Sequence, residues 1–97
     1  MTYASPIERQ ALIRGILALA DFLESNPGVP APVYASIIVF PPNATDAGGH
    51  AEIDVIASRI GSGTGTSEYG RHYTASRNFG PVEYRAVFIS DENRGEW

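Results

Sequence analysis

The chain has 97 residues, 43% hydrophobic and 19% charged, which is typical of a folded globular protein. It has no cysteine, which excludes disulfides and thiolate metal sites, and its net charge of −4 opposes nucleic-acid binding unless one face is locally basic. The longest apolar run is too short to cross a bilayer, and no basic region precedes it. We therefore expect one cytoplasmic domain over residues 1–97, with a polar tail from about residue 91 and no membrane partner.

The first predicted element is a helix that begins after Ser5 and runs to about Ser25. Ser5 can accept a backbone hydrogen bond, Pro6 suits the first helical position, and Glu8 can reach back to complete a capping box. Asn-Pro-Gly at residues 26–28 ends the helix. Its apolar side chains form a broad stripe at helical spacing, which predicts packing against a core: Leu12, Ile16, Leu19, Ala20 and Leu23.

A strand and a second helix are predicted next. Residues 33–40 form a nearly continuous apolar run that prolines terminate, which indicates a strand covered on at least one face. Thr45 or Asp46 can cap a helix that carries isoleucines at helical spacing and stops at Gly61. The glycine-rich segment 61–65 follows a helix and lacks a lysine, so it does not predict a phosphate-binding loop. We expect residues 63–67 to be a flexible connector.

The segment 68–91 predicts a β-hairpin, with strands at residues 69–77 and 82–90 around a turn at 78–81. The element order is then helix, strand, helix, strand, strand. It predicts an α+β fold with a three-stranded mixed sheet and both helices on one face. The last strand should be central because it is apolar on both faces, while strands 33–40 and 69–77 should run parallel around the crossover helix. The uncovered face would be partly apolar.

The hairpin holds the residues that we predict to bind a partner: Arg71, Tyr73, Arg77, Tyr84 and Arg85. Arginine and tyrosine are common anchors of protein interfaces. Period-two spacing also puts aromatic and basic side chains on one strand face, as a single-strand nucleic-acid platform requires. A third interpretation is structural, with tyrosines packed on a helix and arginines at the rim of the sheet.

The sequence predicts no catalytic residue, metal site or cofactor. His50 and His72 are the only histidines. A metalloprotease-like pair would need helical spacing, but His50 and Glu52 are two residues apart and would point to different sides of a helix. His72 shares a predicted strand face with Thr74 and Ser76, which alone does not make a nucleophile system.

Two segments of the chain, residues 18–27 (ALADFLESNP) and 72–87 (HYTASRNFGPVEYRAV), resemble small uncharacterised proteins of actinobacteria and their phages. Those proteins have no established activity. The resemblance implies an origin on a phage or mobile element and adds no catalytic residue. We therefore expect an interaction module that binds a protein partner, with single-stranded nucleic acid as the alternative ligand. The partly apolar sheet face also predicts a homodimer, formed through that face or an edge strand.

Overall fold

The computed structural model describes residues 3–42, 45–67 and 71–90. Over these residues the chain is an α+β protein with two helices and a four-stranded mixed sheet. Its elements are α1 (Pro6–Ser25), β1 (Ala35–Val39), α2 (Asp46–Ile60), β2 (Thr64–Ser67), β3 (His72–Phe79) and β4 (Val82–Ile89). Of the helices in this part of the chain, none combines the length and the apolar character needed to span a membrane.

The chain divides into two compact units. The first, residues 3–33, contains α1, and the second, from Tyr34 onward, contains the sheet and α2. The predicted polar tail from residue 91 and the predicted strand start at Tyr69 lie outside the described residues. A single domain over residues 1–97 stays a prediction.

The predicted bounds and N-terminal cap of α1 are confirmed. Ser5 Oγ accepts the Glu8 N–H at 3.1 Å, and Glu8 Oε1 accepts the Ser5 N–H at 2.8 Å, which completes the capping box. At the other end, Asn26 Nδ2 donates to the Phe22 carbonyl at 2.8 Å. This satisfies one of the last carbonyls, which no helical N–H can reach. The prediction that α1 covers a face of the sheet stays a prediction.

The sheet has four strands in the order β1-β4-β3-β2, so the prediction of three strands is wrong. The additional strand is β2, which lies in the segment predicted to be a flexible connector. It pairs antiparallel with β3, with Thr64 opposite Ala75 and Thr66 opposite Tyr73. The glycines of this segment are typical of a loop, which is why the sequence predicts a connector. The β-branched threonines that alternate with Gly65 nevertheless suit a strand, and an edge strand needs only a backbone partner.

The position of β4 inside the sheet is confirmed, but the predicted strand directions are partly wrong. β1 is parallel to β4 and not to the first strand of the hairpin. β2 adds one reversal of the chain between α2 and β3, so β3 and β4 each run opposite to the predicted direction.

The hairpin turn is tighter than predicted. Phe79 pairs with Val82, which leaves only Gly80 and Pro81 between the strands, and Asn78 belongs to β3. Gly80 has a φ of +61°, in the region that favours glycine. Glycine first and proline second, with its fixed negative φ, suit a type II′ turn. Such a turn matches the twist of an antiparallel pair.

Helix α2 covers one face of the sheet, called here the α2 face. Gly49, Ile53 and Ala57 are its buried residues, spaced four apart, and Ile53 is fully buried. They meet small or flat side chains on β3 and β4: Ala75, Ala86 and Phe88. A Cβ atom added to Gly49 would collide with the ring of Phe88. The glycine that weakens the first helical turn therefore lets the helix approach the sheet closely.

Both predicted ends of α2 are confirmed. Thr45 is the N-cap, and its Oγ1 accepts the Gly48 N–H at 3.0 Å. Gly61 ends the helix with a left-handed φ of +70°. Ser90 Oγ, at the end of β4, donates to Asp46 Oδ2 at 2.6 Å and joins the start of α2 to the sheet.

Candidate functional site

The five predicted site residues do not form one surface. Tyr73, Arg77 and Tyr84 lie on the α2 face, since they share the register of Ala75 and Ala86. Two others lie elsewhere: Arg85 pairs with Ser76 on the opposite face, and Arg71 precedes β3, where its carbonyl accepts the Ser90 N–H at 2.9 Å.

Tyr73 is tied into the packing between α2 and the sheet. Its hydroxyl donates to Asp54 Oδ1 at 2.6 Å and lies 3.0 Å from Thr64 Oγ1, a second hydrogen-bond partner. Its ring is tilted against that of His50, with the centroids 4.4 Å apart. The half-buried side chain thus joins α2, β2 and β3. This matches the structural interpretation of the hairpin tyrosines and does not leave the ring face open for a base.

Arg85 belongs to a polar network on the opposite face. Its Nη2 donates to Glu83 Oε2 at 3.1 Å, and Ser36 Oγ donates to Glu83 Oε1 at 2.9 Å. The Ser36 hydroxyl, followed by the Arg85 guanidinium, holds the pKa of Glu83 below its usual value. The side chains of Arg85 and Glu83 are 43% and 20% exposed. Because their charges cancel, this network does not make the face locally basic.

Four side chains form a surface at the hairpin end of the α2 face: Arg77, Phe79, Val82 and Tyr84. We call this group the hairpin patch. Arg77 Nη1 lies 3.5 Å from the carbonyl of Ile60, the last residue of α2, so the patch begins where the helix ends. The Arg77 guanidinium also lies 5.1 Å from the centroid of the Phe79 ring. Phe79 is 58% exposed and Val82 is 42% exposed.

Sequence reasoning omitted Phe79 and Val82 from the binding residues. The turn predicted at residues 78–81 includes Phe79, and Val82 begins the predicted central strand. The uninterrupted register of β3 places Phe79 on the same face as Arg77, as period-two spacing along a strand requires. The available signal was therefore the strand period, once the turn is restricted to Gly80 and Pro81.

The two histidines lie on different faces of the sheet. His50, on α2, packs against Tyr73 and stands edge-on to Phe88 at 5.9 Å. His72 pairs with Ile89 and shares the opposite face with Thr74 and Ser76, as the strand period predicted. Among residues 3–42, 45–67 and 71–90, no three His, Asp or Glu side chains are grouped as a metal site would require.

Comparisons of the chain with protein-family models, with curated proteins and with solved structures found no match.

Proposed function

We propose that this chain is a small protein-interaction module that binds a protein partner through the hairpin patch. The observation that supports this proposal is that Phe79 and Val82 remain 58% and 42% exposed beside an arginine and a tyrosine. Burying a large apolar side chain contributes roughly 1.5–3 kcal/mol. Arginine and tyrosine are also enriched among the residues that dominate interface energetics. The patch thus combines apolar area with the side chains typical of interface anchors.

The resemblance to small actinobacterial and phage proteins supports a phage or mobile-element setting in the cytoplasm. One of its two segments, residues 72–87, contains the whole patch, all of β3 and most of β4. In that setting the partner is a host or phage protein whose activity the module modulates by binding. The proposal assigns the chain no catalytic step.

Binding of single-stranded nucleic acid, the alternative, has less support. Of the side chains expected to contact bases or phosphates, Tyr73 is engaged with Asp54 and Arg85 is paired with Glu83. A platform for single strands needs exposed aromatic rings and unneutralised cations. The chain as a whole is acidic, with a net charge of −4.

The first experiment uses the full chain as bait in a lysate of an actinobacterial host. The test variant carries Phe79→Ser and Val82→Ser, and the control carries Val55→Ser, a 49% exposed position on α2. A protein recovered by wild type and control but lost with the test variant is then purified and titrated against all three chains. Equal affinity of wild type and test variant for every such protein would contradict the proposal.

A second experiment separates the two ligand classes by their salt dependence. Labelled single- and double-stranded oligonucleotides are titrated at low and at physiological salt. Contacts to phosphates weaken steeply over this range, whereas an apolar protein contact changes little. We expect no oligonucleotide binding even at low salt. Salt-sensitive binding that Arg77→Ala removes would favour the nucleic-acid alternative.

A further inference from the structure

β1 forms one edge of the sheet, and its outer side presents backbone hydrogen-bonding groups. The Ala35 N–H donates inward to the Pro81 carbonyl at 3.1 Å, in the direction of β4. Because these groups alternate along a strand, the N–H and C=O of Ser36 and Ile38 point away from β4. In the part of the chain that the structure describes, no strand pairs with this side.

This edge is uncharged and apolar. Between Glu24 and Asp46 the sequence contains no charged residue, although 19% of the chain is charged. Ile37, Ile38 and Phe40 are 36%, 47% and 40% exposed. Natural sheets usually protect an edge with charged side chains, proline or a bulge, because an open apolar edge recruits another strand. Within β1 itself neither charge nor proline is present.

The pattern along the edge is symmetric about Ile37. If two copies pair antiparallel around a two-fold axis at Ile37, Ser36 lies opposite Ile38 of the second copy. These are the residues whose backbone groups point outward, so each such pair can exchange both of its hydrogen bonds. One step further, Tyr34 lies opposite Phe40, an aromatic cross-strand pair of the kind that stabilises sheets. The next such positions in sequence are Pro32 and Pro42, which have no N–H, and the ladder ends there.

We propose that β1 pairs with β1 of a second copy in this register and joins the two four-stranded sheets into one. We assign the pairing strand to a second copy because the outward backbone groups of two antiparallel β1 strands complement each other and neither strand is charged. Two acidic chains can approach along a strand that carries no charge of its own, since the nearest charged side chains, Arg85 and Glu83 on β4, are paired with each other. The proposal is independent of the proposed function, because the hairpin patch lies on β3 and β4.

The mass of the full chain as a function of concentration tests whether the dimer exists. One short strand pair makes a small interface, so we expect a reversible change between 10.4 kDa and twice that mass by sedimentation. The scan covers roughly 1–500 µM, where interfaces of this size dissociate. A wild-type chain that keeps the monomer mass throughout would overturn the proposal and leave the edge to a strand of another protein.

A pair of charge variants tests which edge is used. Ile38→Lys places a charge on β1, and Thr66→Lys places the same charge on β2, the other edge of the sheet. We expect Ile38→Lys to raise the dimer Kd by roughly tenfold or more and Thr66→Lys to leave it unchanged. Circular dichroism and thermal unfolding establish that both variants fold. A dimer that both variants keep, or that only Thr66→Lys loses, would place the interface elsewhere.

The register is tested with single cysteines, which the natural chain lacks. A two-fold axis at Ile37 brings the Cα atoms of the two Ile37 residues to about 4.5 Å, within disulfide range. The two copies of Phe40 would be about 20 Å apart, from six residues at strand spacing. We expect Ile37→Cys, and not Phe40→Cys, to form a covalent dimer under mild oxidation. Equal cross-linking of both variants, or of neither, would contradict this register even if the Ile38→Lys variant failed to fold.

Discussion

The close approach between α2 and the sheet makes Gly49→Ala the most informative stability variant. Gly49 is buried in the first turn of α2, where its N–H donates to the Thr45 carbonyl at 2.9 Å. Its backbone is helical, so alanine would add no strain of its own. The new Cβ atom, however, would overlap the ring of Phe88, which is 3% exposed.

Two effects of opposite sign decide the outcome. Alanine in place of glycine stabilises a helix by about 1 kcal/mol. Overpacking a closed core costs about 1–3 kcal/mol, and a ring held between Gly49 and its neighbours puts Gly49→Ala in the upper half of that range. We therefore expect a net loss of about 1–2 kcal/mol in the free energy of unfolding. For a domain of this size, each kcal/mol corresponds to about 4–8 °C in Tm.

The assay is chemical denaturation of four chains: wild type, Gly49→Ala, Phe88→Leu and the double variant. Leucine lacks the ring that an alanine methyl at position 49 would meet. If overlap with that ring is the cause, Gly49→Ala costs at least about 0.5 kcal/mol less in the Phe88→Leu background. A Gly49→Ala variant that is as stable as wild type, or that loses the same amount in both backgrounds, would refute the reasoning.

Three further predictions test individual contacts. Tyr73→Phe removes the hydroxyl that meets Asp54 and should lower the free energy of unfolding by about 1 kcal/mol in urea denaturation, whereas an unchanged midpoint would mean that the contact is not formed in solution. Thr45→Ala removes the N-cap of α2 and should cost about 1 kcal/mol, with Thr45→Ser close to wild type in the same assay. Because folding lowers the pKa of Glu83, its ionised carboxylate adds stability to the fold at pH values above the usual glutamate pKa. This added stability is lost as the pH falls through the lower pKa of the folded state. Glu83→Gln should therefore flatten the loss of Tm with acid, and an identical pH profile would count against the Ser36–Glu83 hydrogen bond.

The sequence by itself determined the features that depend on local chemistry. The bounds of α1, its capping box at Ser5, the Thr45 cap and the Gly61 stop of α2 are confirmed because each depends on residues within one helical turn. The inner position of β4 was also predictable, since the strand carries apolar side chains on both of its faces, with Ala86 and Phe88 on one and Val87 and Ile89 on the other.

Only the tertiary structure decided which strands meet and which side chains share a surface. Residues 64–67 form β2 because they pair antiparallel with β3. The Thr-Gly-Thr-Ser sequence alone does not indicate this partner, which lies elsewhere in the chain. Because of that added strand, β3 runs antiparallel to β1 and β4 runs parallel to it, which is the opposite of the predicted directions. The strand register places Arg85 and Arg77 on opposite faces of the sheet. The packing of α2 on one of these faces brings Tyr73 into contact with Asp54. Helix caps depend on contacts between neighbouring residues and can therefore be predicted from the sequence, whereas strand pairing and burial depend on residues distant along the chain.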